Sequence, residues 1–249
     1  GTILPAACTS GGRAVTDTPA IDLSAAAPYY KFPDDWLPGW TKRIKLTIEQ
    51  DRIDEALTDF PILVHIGKSS GINAYNLSFI FDELDSDDKR RKIAVTTSDG
   101  KSQCHAEIEE WNSSNQEAWI WVKVPYIDSQ LNTDLYLYFD KDAADNASYT
   151  GDTGTEAAQC VWDNAFIMVQ HLNVDGRGAA GEFKDSTSKH IDGTGGYAPY
   201  APPQRTSGKI GSGQYFNGIN NYIEIPDNDS LSIDTTGYLT ISGWISPAA

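Results

Sequence analysis

Methionine is almost missing from this chain of 249 residues, cysteine occurs three times and histidine four, and positive charge is scarce: 19 Lys and Arg stand against 35 Asp and Glu. Each shortage excludes something. A net charge of −16 repels nucleic acid and anionic membrane surfaces. Cys8, Cys104 and Cys160 form no CxxC pair, which argues against a zinc or thioredoxin-type site. An odd number of cysteines allows at most one intrachain bridge, for which Cys104 and Cys160 are the candidates, although all three as buried thiols is equally open. His65, His105, His171 and His190 show no HxH or HExxH spacing. No apolar run approaches the ~20 residues of a membrane span. The chain has no initiator Met and no leader-like basic and apolar start, and so reads as a mature product or a fragment.

What is abundant points to strands. Seven Trp and twelve Tyr, with many Thr, Ser, Asn and Gly, suit strands and turns better than helices. Residues 1–39 read as an irregular arm. From Trp40 the pattern turns to period two, as in Arg43-Ile44-Lys45-Leu46-Thr47-Ile48. Further strands are predicted at 60–66, 92–97, 103–111, 118–124 and 135–139. Many short strands in about 100 residues argue for an antiparallel sandwich or jelly roll. The acidic-basic stretch Asp82 to Arg91 is the best helix candidate, but it lacks an apolar face and reads as a loop. Residues 141–160 are small and polar and read as a linker. Strands are then expected at 166–172, 214–216, 222–225 and 238–245. The fold class expected is all-β: two β-sandwich or jelly-roll modules, 40–150 and 151–249, behind the arm. The second supplies too few strands to close by itself, so another stretch of chain or another copy is expected to complete it.

Several strings resemble a known family. Trp40-x-x-Arg43-Ile44, Thr58-Asp59-Phe60-Pro61-Ile62-Leu63-Val64, Ala106-Glu107-Ile108-Glu109-x-Trp111, Ala118-Trp119-Ile120-Trp121-Val122-Lys123-Val124-Pro125 and Thr133 to Phe139 together resemble DUF2341. That family is a domain of unknown function found in large extracellular proteins. The remainder resembles the opening half of a concanavalin A-like, laminin G-type domain. It does so through Val161-Trp162, Asp185-Ser186-Thr187, Gly208-Lys209-Ile210-Gly211, Phe216-Asn217-Gly218 and Leu239 to Ile245. The resemblance implies a sandwich that binds glycan, protein or calcium, and it does not imply catalysis.

Candidate chemistry is sparse. In Glu107-Ile108-Glu109-Glu110-Trp111, alternation places Glu107, Glu109 and Trp111 on one face and Glu110 on the other. A paired-carboxylate glycosidase needs an acid where Trp111 stands, so an acidic edge or contacts to Lys or Arg are expected instead. Trp119 and Trp121 share a strand face and, with Trp111, are the candidates for glycan contact. A structural calcium would draw on loop carboxylates: Asp175, Asp185, Asp227 and Asp229. The sequons at Asn76, Asn112, Asn146 and Asn228 are candidate glycosylation sites. The expected function is that of a non-enzymatic extracellular or cell-surface structural or adhesive protein. It would assemble by strand sharing, as in a surface filament, with other copies of itself or a companion surface protein. The alternative is a glycan-binding module of a larger surface or phage-fibre protein, and a glycosidase ranks last.

Overall fold

A computed structural model describes Ile21–Asp22 and residues 36–162, 165–232, 237 and 240–247. Its strands are β1 (Ile21–Asp22), β2 (Arg43–Ile48), β3 (Leu57–Ile66), β4 (Ile93–Thr97), β5 (Gln103–Cys104), β6 (Ala106–Asn112), β7 (Glu117–Ile127), β8 (Thr133–Phe139), β9 (Thr150–Asp152), β10 (Thr194–Gly195), β11 (Gln204–Ser207), β12 (Ser212–Tyr215) and β13 (Ile223–Glu224). Two short helices, α1 (Phe79–Leu84) and α2 (Glu156–Gln159), accompany them with three single 3-10 turns. The all-β expectation holds.

Two sheets face each other. One runs β1-β2-β8-β4-β5 and the other β3-β7-β6-β9. Period two explains the core between them. Ile44, Leu46 and Ile48 point inward from β2, and Leu135, Leu137 and Phe139 from β8. They meet Ile62, Val64 and Ile66 of β3 and Ile120, Val122 and Val124 of β7. Each such side chain contributes about 1.5–3 kcal/mol by leaving water. The outer face of the first sheet is covered by residues 36–40. Trp36, Leu37 and Trp40 pack on Tyr138, and the Arg43 guanidinium lies 4.5 Å from the Trp36 ring centre and 3.8 Å from that of Tyr136. The end of the expected arm is therefore part of the sandwich, and β1 pairs with β2 at its edge.

Two segments and the cysteine pairing in this part of the chain differ from their sequence reading. A helix forms at Phe79–Leu84, overlapping the first three residues of the acidic stretch, because Ile80, Phe81 and Leu84 supply a buried stripe there. The expected linker is instead built into the fold: β9 runs parallel to β6, and the Arg90 guanidinium holds Asp152 at 2.6 and 2.8 Å. The cysteine pairing is corrected. Cys104 points into the core as a free thiol, pushed up to about 12 by burial and the nearby Asp99, whereas Cys160 is disulfide-bonded, so the two do not bridge.

The C-terminal part is a layer over the outer face of the β3-β7-β6-β9 sheet. Its strands form two small ribbons, β10 with β13 and β11 with β12. Two carboxylates, Asp185 and the half-buried Glu182, organise the rest. Asp185 is fully buried and accepts from the backbone N–H groups of Val169, Thr187 and Ile191 and from the Thr187 hydroxyl, at 2.8–3.0 Å. Glu182 accepts from the backbone N–H groups of Arg177, Gly178, Ala179 and Gly195. The strand expected at 166–172 reduces to one bridge, between Gln170 and Asp185. Residues 240–247 carry no strand pairing, and Tyr238 and Leu239 lie outside the described residues.

Candidate functional site at the seam between sandwich and layer

The seam is set by one irregularity in β6. Glu107 pairs with Trp121 and Ile108 with Ile120, but the next partner of β7, Trp119, faces Glu110, because the register shifts between Ile108 and Glu110. Such a bulge sets two residues against one and re-phases the remainder of the strand. Glu110 consequently turns to the layer side with Glu107 and Glu109. Trp111 turns inward, its ring centre 4.9 Å from that of Phe81. Strict alternation predicts the opposite facing for Glu110 and Trp111.

The carboxylates of Glu107 and Glu109 are almost wholly buried and do not form an acidic edge. Between them sits His171, with Nε2 3.1 Å from Glu107 Oε2 and Nδ1 3.2 Å from Glu109 Oε2. The Nε2–H is poorly aligned for a hydrogen bond, so that contact is an ion pair. Glu107 also accepts from Trp162 Nε1 at 2.6 Å and Ser186 Oγ at 2.7 Å, and Glu109 from Trp121 Nε1 at 2.6 Å. The Asn173 side-chain amide donates to the Glu109 backbone carbonyl. Burial works against a charged ring at His171, but the Glu107 and Glu109 carboxylates outweigh it and hold His171 up at about 10. Burial likewise opposes ionisation of Glu107, and His171, with the Ser186 and Trp162 donors, more than offsets it and lowers the carboxyl below its ordinary value.

Beside this cluster Glu110 accepts from Arg205 Nη2 at 3.0 Å and Ser212 Oγ at 2.8 Å. Gly211 has φ +47°, a left-handed conformation that favours glycine, and a Cβ there would come within 2.6 Å of Glu110 Oε2 and displace that carboxylate. Trp111, Glu110, Asp175, Arg177 and Arg205 line an open depression of about 570 Å³.

The glycan candidates therefore land in three settings. Trp119 is stacked on His65, ring centres 4.1 Å apart, with Gly211 against it. Trp121 lies under the layer beside Trp162 and His171. Trp111 borders the depression but turns its ring inward onto Phe81. The calcium candidates are not brought together: both Asp185 oxygens are taken by internal donors, Asp175 is exposed at the depression, and Asp227 and Asp229 are exposed elsewhere. Among the described residues no three His, Cys, Asp or Glu converge to hold a metal. Of the sequons, Asn146 donates into the fold, to the Ile93 carbonyl and Gln103 Oε1, whereas the Oδ1 atoms of Asn76, Asn112 and Asn228 accept from local backbone N–H groups. Sequence reasoning misses the joining of Glu107, Glu109, His171, Trp162 and Ser186. The only signals are a histidine inside an apolar run and a Glu-x-Glu inside a strand.

Residues 89–165 match the model of a domain of unknown function, DUF2341. The matched stretch runs from the turn before β4 to just past α2, and so contains the β6–β7 pair that carries Glu107, Glu109 and Trp121. It ends at the beginning of the layer, and the strings resembling a concanavalin A-like half lie outside it, apart from Val161-Trp162. No curated protein and no solved structure matches the chain. Among the described residues no helix is long and apolar enough to cross a membrane.

Proposed function

We propose that the chain is a non-enzymatic, extracellular structural protein that joins copies of itself, or a companion surface protein, by strand addition. The observation that carries this reading is the stretch 240–247. It is rich in residues that favour strands, it pairs with no strand among the described residues, and Ile241, Trp244 and Ile245 are 84, 70 and 87 % exposed. Apolar side chains so exposed mark a surface that another chain covers, and backbone groups with no strand partner are free to join a neighbour's sheet edge. The disulfide at Cys160 supports an oxidising location. The burial of Glu107, with both oxygens already engaged, supports a non-catalytic role for the carboxylate pair. Sedimentation across a concentration series tests the reading. Self-association is expected, and the double variant Ile241→Asp, Ile245→Asp should abolish it. A wild-type chain that stays monomeric, and that captures no companion from its source surface, overturns it.

The depression supports a second reading, a glycan-binding module. Asp175 and Arg177 are exposed there, and neither side chain has an internal partner among the described residues. Binding on a glycan array that is lost in Asp175→Ala and Arg177→Ala, with melting unchanged, is the expected result under that reading. No binding to any glycan sinks it and leaves the first untouched.

A further inference from the structure

A carboxylate only accepts hydrogen bonds, and a neutral imidazole carries one N–H. A buried imidazole with a carboxylate at each nitrogen therefore turns an N–H toward both, and carries the charge that both favour, in one state only, the doubly protonated cation. His171 is in that position, its side chain 6 % exposed between carboxylates that are 0 and 3 % exposed. The two carboxylates belong to β6 of the sandwich, and the ring belongs to the C-terminal layer. We propose that this cluster is a proton-operated latch: the layer stays seated while the His171 ring carries its second proton and lifts from the sheet when that proton leaves.

The groups around the ring leave little else to hold it. β6 presents Glu107 and Glu109, and β7 presents the Trp121 indole, which donates to Glu109. The chain after α2 presents Trp162, and the layer itself presents Ser186, both donating to Glu107. Glu110, next along β6, is engaged by Arg205 and Ser212. Among the described residues no Lys, Arg or second His pairs with Glu107 or Glu109. Loss of the proton thus leaves two buried carboxylates facing each other with no cation between them, a costly arrangement that separation relieves.

The direction with pH is set by the sign of each shift. The seated ring titrates at about 10 against an ordinary 6.5, so seating takes up a proton. That contribution is whole below about pH 6.5, shrinks between 6.5 and 10, and is gone above. Glu107 acts in the opposite sense on the acid side. Its lowered carboxyl stabilises the seated state above its ordinary 4.5, and this is lost as pH falls through the lowered value. The latch is closed at weakly acidic and neutral pH and opens in alkali.

The full chain labelled with 15N-histidine tests this by ring NMR alongside small-angle scattering. One ring, assigned by its loss in His171→Gln, should remain doubly protonated where an ordinary imidazole is neutral, and the radius of gyration should rise as that ring titrates. Glu109→Gln keeps an acceptor for the Trp121 indole and should move both midpoints to lower pH together. In His171→Gln the radius should show no step in that interval, whether the layer is seated or free. All four rings titrating at ordinary values would overturn the latch. So would an expansion that persists in His171→Gln, or a high ring midpoint with no expansion.

Discussion

The sandwich and the layer above it are held by different forces. Between the two sheets the contacts are aliphatic and aromatic, with Leu46, Ile62, Ile66, Ile93 and Val122 fully buried. In the layer, where Phe183 and Ile191 are the buried apolar side chains, carboxylates do much of the organising: the buried Asp185 and the half-buried Glu182 each gather backbone N–H groups. Apart from Phe183, which is buried, the layer leaves several rings outside, with Tyr197, Tyr200 and Tyr215 more than half exposed. Apolar packing is non-directional and tolerates repacking, whereas a carboxylate hub works only with each donor in place. The two regions should therefore fail differently.

The largest effect is expected from Phe139→Ala in β8. Truncating a fully packed phenylalanine costs about 3–5 kcal/mol, and chemical denaturation should show sandwich and layer losing stability together, because the layer rests on the sheet. Asp185→Ala should cost roughly 3 kcal/mol by orphaning buried N–H donors. Hydrogen exchange should place that loss in residues 165–232 while β2, β7 and β8 keep their protection. If exchange rises equally in both, the regions are one cooperative unit and the contrast between them fails. Lys45→Ala, which removes an exposed pair with Asp134 at 3.3 Å, should change stability by less than about 1 kcal/mol. A larger loss would mean that surface charge contributes to the sandwich as well.

Legibility in the sequence obeys the same division. Strands β2, β3, β6, β7 and β8 are readable because each lies half in a core, and burial on one face imposes alternation. Ile120, Val122 and Val124 are recognisable as an inward face opposite Trp119 and Trp121 for that reason. The layer is less readable, since a segment such as 166–172 looks like a strand by composition but takes its shape from Asp185, more than a dozen residues away. The clamp on His171 is not legible at all. Its members are separated by up to 79 positions, and they meet only because a whole layer folds back over the sheet. Alternation puts Glu110 and Trp111 on the wrong faces, because nothing in the local residue pattern announces an extra residue in the ladder.

That extra residue bears on how chains of this kind should be lined up. A relative one residue shorter in β6, lacking the bulged position, would still set Glu110 against Trp119 and turn the indole of Trp111 inward, but it would present one carboxylate fewer to whatever lies above the sheet, and lined up from Ala106 without a gap its later positions would fall one place out of step. Position 109 is therefore the place to look for an insertion or deletion when asking which relatives can carry the same covering layer.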